Sequence, residues 1–184
     1  IYLYPFSMSF VVTGLAWQWI LTPGNGIERV VRDWGFSGFR FDWIIDQQMV
    51  IYTIVLAAVW HAAGLVMAIA LAGLRGIDAE IWKAIRIDGV PRWKAYLFVI
   101  LPMLRGSLGT AVVLLSISVV RLYDLVVAMT HGGPGIASEV PAKFVIDYLF
   151  ERQNIGLATA ATTVMLVTVL AALAPYVYLT QRKA

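Results

Sequence analysis

The chain has no cysteine, two histidines and little charge, with 14 Lys and Arg and 11 Asp and Glu among 184 residues. The lack of cysteine excludes a disulfide framework, thiol catalysis and Cys-based metal sites. His61 and His131 lack the short spacing of zinc-ligand motifs, so no metal site is expected. No Gly-x4-Gly-Lys-[Ser/Thr] run is present, and the cluster Gly132-Gly133-Pro134-Gly135 lacks the Lys and hydroxyl that phosphate and magnesium binding would need. It reads as a structural turn. No paired carboxylates or activated nucleophile support an enzyme. Charged residues make up 14% of the chain, against about 25% in an ordinary soluble domain.

What fills the space is apolar: 60% of residues are hydrophobic and the mean hydropathy is +0.79. The chain reads as an all-α integral membrane protein, a polytopic helix bundle in a single domain over residues 1–184. The net charge of +3 and pI near 9.3 would suggest nucleic acid in a soluble protein. Here the placement of charge matters more than its sum, and no nucleic-acid partner is expected.

Four spans are predicted. The first runs from Tyr2 to about Leu21, with Trp17 and Trp19 at its interfacial end and no basic region or cleavage site marking a signal peptide. The abrupt apolar start suggests missing upstream sequence. Ile27, Val30, Val31 and Trp34 then recur at helical spacing opposite Glu28, Arg29, Arg32 and Asp33, which predicts a short helix on the membrane surface. A second span lies between Gln47 and Leu74, a third over about Leu108 to Met129, and a fourth over about Leu157 to Leu179. Between the last two, a helix is expected from about Pro141 to Gln153.

The most structured polar stretch is Asp78 to Lys94, running on to Leu101-Pro102. Asp78 is a good N-cap, Glu80 places an acid in the first turn, and Gly89 followed by Pro91 ends one helix and starts another. Ile81, Trp82 and Ile85 share one face of the first helix, and Lys83 and Arg86 share another. Basic residues Arg75, Lys83, Arg86, Arg92, Lys94 and Arg105 crowd this loop, and Arg182 and Lys183 follow the last span. Positive-inside places residues 75–105 and the C-terminus in the cytoplasm.

Two ionisable residues interrupt the third span. Arg121 and Asp124 stand one helical turn apart, so they are expected either to pair and fix packing or to face a polar pathway, with Tyr123 as a stacking surface. Gln18, Trp60 and His61 are weaker pathway candidates, since such residues more often serve packing or interface anchoring.

The loop resembles the EAA motif of binding-protein-dependent ABC importer permeases, whose pattern is Glu-Ala-Ala, three residues, Gly, nine residues, Ile, one residue, Leu-Pro. Ala84, Gly89, Leu101 and Pro102 match at the right spacing, and Arg86-Ile87-Asp88-Gly89 is close to the sugar-permease form. Lys83, Ile85 and Val99 depart from it. Tyr123-Asp124, Thr130 and Gly132-Gly133-Pro134-Gly135 are similar to a second sugar-permease run. Val12 to Trp17 and Leu71 to Asp78 are most similar to the maltose-type group, particularly its glucose, mannose and alpha-glucoside permeases.

The resemblance implies the last four spans of a sugar permease in the bacterial cytoplasmic (inner) membrane, with residues 78–102 as its coupling loop. Glu80, Ile81, Trp82, Lys83, Ala84, Ile85, Arg86, Asp88 and Gly89, with Leu101 and Pro102, would serve coupling to a separate ATPase subunit that uses ATP and magnesium. Ile81, Trp82 and Ile85 would be the apolar anchor, and Lys83 and Arg86 its charged rim. The other implied partners are a second permease subunit in a heterodimer, an extracytoplasmic sugar-binding protein and membrane lipid. An alternative is a membrane scaffold or enzyme built on Arg121 and Asp124.

Overall fold

A computed structural model describes residues 2–181, with side chains through Ala174, and every regular element among them is helical. The first segment is α1 (Tyr4–Ser7) followed by α2 (Phe10–Leu21). The sequence predicts one helix here; the chain instead passes through extended backbone at Met8 and Ser9. Local hydrogen bonding explains the break. The Ser7 hydroxyl donates to the Tyr4 carbonyl at 2.7 Å, and the Ser9 hydroxyl caps α2 by accepting from the Val12 amide at 3.2 Å. At 1.5 Å per residue, α2 is about 18 Å long, short of the ~30 Å hydrocarbon core.

The surface helix is α3 (Gly26–Asp33), and the second predicted span is α4 (Val50–Arg75). At about 39 Å, α4 is long enough to cross a bilayer. It is apolar all round, and its neighbours decide which face is covered: Val50, Thr53, Ile54, Ala57, His61 and Gly64 follow helical periodicity and are buried.

The polar island forms α5 (Ala79–Ile87) and α6 (Arg92–Ala95), a π-helical stretch (Tyr96–Ile100) and α7 (Leu101–Met103). After a turn at Leu104 comes α8 (Arg105–Val120), bent by 66° from the Arg92–Met103 segment.

The third predicted span does not continue to Met129. It stops at Val120, and α9 (Tyr123–Thr130) begins after a turn in which the Arg121 amide donates to Ser118 and the Leu122 amide to Val119. The placement of charge suits the break, because Arg121 caps the negative end of α8 and Asp124 sits in the first, positive turn of α9. Beyond the 131–140 loop lie α10 (Pro141–Ile146), a π turn (Asp147–Glu151) and α11 (Ile155–Gln181). The Asn154 side chain caps α11 through the Leu157 amide at 3.1 Å. Among the described residues, α4 and α11 are long and apolar enough to span a membrane, and the pair Arg92–Met103 and α8, bent by 66°, makes a third if the two cross as one broken span. Four spans are not found among the described residues, where the first predicted one is broken and short.

Tight packing brings α2 onto α9. A Cβ on Gly14 would lie 2.6 Å from the Ala128 Cβ, so only glycine permits this approach. Leu21, Ile44, Ile54, Ala57, Leu125, Val126 and Met129 form the core between α2, α4, α9 and the chain after α3.

Candidate functional site

The helix-turn-helix at residues 78–95 is built by its own sequence. The Asp78 carboxylate accepts from the Glu80 amide at 3.0 Å and starts α5. Asp88 closes it, and Gly89 at φ +66 reverses the chain before Pro91 opens α6. No residue of α5 is buried, so the helix projects from the rest of the chain.

Its faces follow the sequence periodicity, but the apolar one turns toward the chain itself. Ile81, Trp82 and Ile85 are half-buried on the inner side, where Trp82 meets Tyr96 edge-on with ring centroids 6.0 Å apart. The outward face carries Glu80, Lys83, Ala84 and Ile87, with Asp88 beyond, and Ile87 is 84% exposed. An apolar side chain left in the open on this loop is thus Ile87, which the sequence reading did not select; its spacing from Glu80 and Ala84 was the available signal. Lys83 and Glu80 approach to 3.4 Å, both well exposed, and such a pair contributes little. The Arg86 Nε donates to the Trp82 carbonyl at 3.3 Å, leaving its terminal nitrogens free for other partners. A cavity of about 610 Å³ lies between α5 and α6, lined by Trp82, Ile85, Arg86, Gly89, Arg92 and Tyr96 among others. Leu101 and Pro102 are exposed at the far end of the following segment, before the elbow.

The six pathway candidates do not converge. His61 is buried, with its Nδ1 3.3 Å from the Thr13 hydroxyl and its ring 4.4 Å from Phe10, so it joins α4 to α2 as a packed polar contact. Trp60 meets Trp17 edge-on at 5.9 Å. Gln18 borders a separate groove of about 350 Å³ beside Thr22, Ile44, His131 and Pro134. Arg121 and Asp124 are exposed and Tyr123 is half-buried. The expected Arg121–Asp124 pair is not among the ion pairs of the described residues, because the helix break removes the one-turn geometry that would align them.

The glycine turn consumes its own polar groups. Ser138, fully buried, donates to the Gly133 carbonyl at 2.7 Å, and its hydroxyl lies 2.8 Å from that of Thr130. The Gly132 amide is taken by Thr130 and the Gly132 carbonyl by the Ser138 amide. The expectation of a structural turn holds. Lys143 packs against Gly132 and pairs with Asp147, whose hydrogen bond holds the lysine above its ordinary range.

Glu28 was not singled out from sequence. It is buried, accepts from the amides of Gly24 at 3.1 Å and Phe41 at 3.3 Å, and pairs with Arg32. The Gly24 amide, then that of Phe41 and the charge of Arg32, hold its carboxyl below the ordinary range against the opposing effect of burial. The apolar side of α3 faces outward, with Ile27 and Val30 exposed, as a surface helix in contact with lipid requires. Among the described residues no group of His, Asp or Glu is arranged to hold a metal.

The model of the family described as "Binding-protein-dependent transport system inner membrane component" matches residues 3–184. The chain is 32% identical over 179 residues to a probable ABC transporter permease protein of Pyrococcus horikoshii, covering 97% of this chain and 61% of that relative. It is 29% identical over 180 residues to the xylose/arabinose import permease protein of Haloferax volcanii, covering 97% of this chain and 56% of the relative. The chain thus spans about three-fifths of the length of these curated relatives. It also superposes on a chain of a bacterial ABC transporter involved in the import of the acidic polysaccharide alginate, with a TM-score of 0.79 and 19% identity. That match covers 99% of this chain and 64% of the other, and at such identity the likeness is one of fold.

Proposed function

The chain belongs to the family of binding-protein-dependent transport system inner membrane components, and on that premise we propose that it is a permease subunit of an ATP-driven importer for sugars, forming half of the translocation pathway. The sugar class is supported by the Tyr123 to Gly135 run and by the name of the Haloferax relative. ATP and magnesium belong to a separate ATPase subunit. A second permease completes the pathway, and an extracytoplasmic binding protein delivers the sugar.

The observation that carries this reading is the projecting α5 hairpin, capped by Asp78, turned at Gly89 and leaving Ile87 uncovered. A short helix that buries none of its residues is held ready for contact with another surface. In this arrangement Ile87 and Ala84 form the seat, with Glu80, Lys83 and Asp88 at its edge. Ile81, Trp82 and Ile85 brace the helix from behind. Closure of the ATPases would move α5, and the continuous helical Arg92–Met103 segment would pass that motion to α8. The basic residues of the 75–105 loop support a cytoplasmic position for it. The C-terminal Arg182 and Lys183, which lie outside the described residues, are assigned to the same side. The long apolar faces of α4 and α11 suit lipid and the second permease.

The test is to purify the full-length protein from native membranes in mild detergent and identify the co-purifying chains by mass spectrometry. An ABC ATPase and a second permease are expected with the wild type. Ile87→Asp should reduce ATPase recovery and sugar uptake by about thirtyfold, the equivalent of a ~2 kcal/mol contact, with membrane insertion unchanged. Full recovery and uptake in that variant would refute the seat, and absence of any ATPase from the wild type would refute the transport reading.

A further inference from the structure

The segment between α2 and α4 reverses the usual arrangement of a helix on a protein surface. On α3 the acid faces inward: Glu28 is 3% exposed, and with Arg32 it ties the helix to the chain that follows. Glu28 accepts from the Phe41 amide, and the Arg32 Nε donates to the Phe39 carbonyl at 2.9 Å. Ile27, Val30 and Trp34 stand on the opposite face at spacings of three and four, all exposed, Trp34 by 77%. Phe36 and Ile45 farther along are exposed as well, and so is Trp43, stacked on Phe41 at 5.0 Å. A patch of this kind marks contact with something other than water.

Position says what covers it. The chain belongs to a family of inner membrane components, and this segment is fastened at both ends to apolar helices. Gly26 lies so close to the end of α2 that a Cβ there would run into the Ile20 carbonyl. The Asp46 carboxylate holds the turn before α4, accepting from the amides of Gln48 and Met49 at 2.7 and 3.0 Å. Because α4 is long enough to cross a bilayer, its first turn and the segment tied to it stand at the membrane boundary opposite the 75–105 loop. Trp suits that boundary, and the exposed Arg29 and Arg40 are long enough to reach its aqueous side. An ordinary interfacial helix turns its polar face to water. Here the chain's own amides satisfy that face, and the apolar one is left for hydrocarbon.

We propose that residues 27–45 form an interfacial anchor whose apolar face enters the lipid of that leaflet, and that Glu28 is the positioning residue that turns this face outward. The proposal rests on the family and on α4 as a span. It is independent of the sugar and of the ATPase, so it and the transport reading fail separately. A protein surface covering the same face is the competing outcome.

The 184 residues contain no cysteine, which suits them to site-directed labelling. Spin labels are placed singly through Val30→Cys, Trp34→Cys and Phe36→Cys in the full-length protein, with any cysteine elsewhere replaced by serine. The protein is studied in lipid nanodiscs, alone and together with the chains that co-purify with it. Collision with oxygen, which concentrates in hydrocarbon, is compared with collision with a water-soluble nickel chelate. Val167 on α11 serves as the lipid reference and Lys94 on the hairpin as the aqueous one, both being exposed. The oxygen-to-nickel ratio at Val30, Trp34 and Phe36 is expected to approach that of Val167, at least about fivefold above Lys94, and to stay there on assembly. Glu28→Ala should lower the ratio at Trp34 by about threefold, with Val167 unchanged as the sign of an intact bundle, and Glu28→Gln, which still accepts from both amides, should lower it less. A ratio equal to that of Lys94 would show the face in water, and loss of both collisions on assembly would show it covered by protein; either result overturns the anchor. A lipid-like ratio that Glu28→Ala leaves unchanged would overturn the role given to Glu28.

Discussion

The segment around α3 and α10 and the hairpin around α5 both leave the apolar bundle, yet they treat charge in opposite ways. In the first, Glu28 is spent on two backbone amides and Arg32, Lys143 is spent on Asp147, and Arg152 lies over the Tyr148 ring while donating to its hydroxyl at 2.7 Å. In the second, Glu80 and Lys83 make one loose, exposed contact, and Arg86 and Arg92 form no ion pair among the described residues. Burying a charge is tolerable only when its partners are supplied locally, so the first region uses charge to fix its own shape. The second keeps its charges solvated and available. Self-satisfied charge fixes local shape, and open charge beside an uncovered Ile87 is what the proposed contact would use.

The largest expected break in this contrast is an enlargement at the bundle's closest approach. In Gly14→Leu the new side chain collides with Ala128 and with the Leu125 carbonyl, so α2 and α9 must separate. A loss of about 3 kcal/mol is expected, read as a lowered melting temperature in detergent. The same enlargement on the projecting helix, Ala84→Leu, should change stability by less than ~0.5 kcal/mol. Equal losses at the two positions would remove the distinction between scaffold and contact helix.

The next effect is on Glu28 and follows from its titration. Its folded pKa lies below the ordinary 4.5, so its contribution to stability is full above that value and is lost as pH falls through the folded value. Hydrogen exchange at the Gly24 and Phe41 amides, corrected for the intrinsic pH dependence, should therefore accelerate as the pH falls below the ordinary 4.5 and through the lowered folded value. Glu28→Gln should accelerate it by about tenfold already at neutral pH. The smallest effect belongs to the exposed pair: Glu80→Gln should cost under ~0.5 kcal/mol, measured by the same melting experiment.

Much of this was legible because it depends on local chemistry. Asp78, Gly89 and Pro91 announce α5, its end and the next helix: the Asp78 carboxylate caps α5, Gly89 turns at positive φ and Pro91 precedes α6. The breaks at Met8–Ser9 and Arg121–Leu122 were not legible, since hydropathy averaged over a span is blind to one serine cap or a turn within it. The supposed Arg121–Asp124 pair failed for the same reason, because one-turn spacing aligns side chains only in an unbroken helix. Periodicity gave the two faces of α5 correctly. It could not say which one is covered, because that depends on Tyr96, beyond Pro91, returning to meet Trp82. Glu28 was hidden by its position opposite an apolar stripe, where an acid ordinarily faces water.

The elbow at Leu104 has a mechanical consequence. The Arg92–Met103 segment, set at 66° to α8, is an arm of about 18 Å. Rotation about the elbow by ~5° carries the far end of such an arm through about 1.5 Å, the size of the helix shifts that separate functional states. If the proposed coupling holds, the bend would act as gearing: a small change of angle at α8 and a larger stroke at the hairpin would be one motion, and stiffness in the arm would decide how much stroke survives transmission.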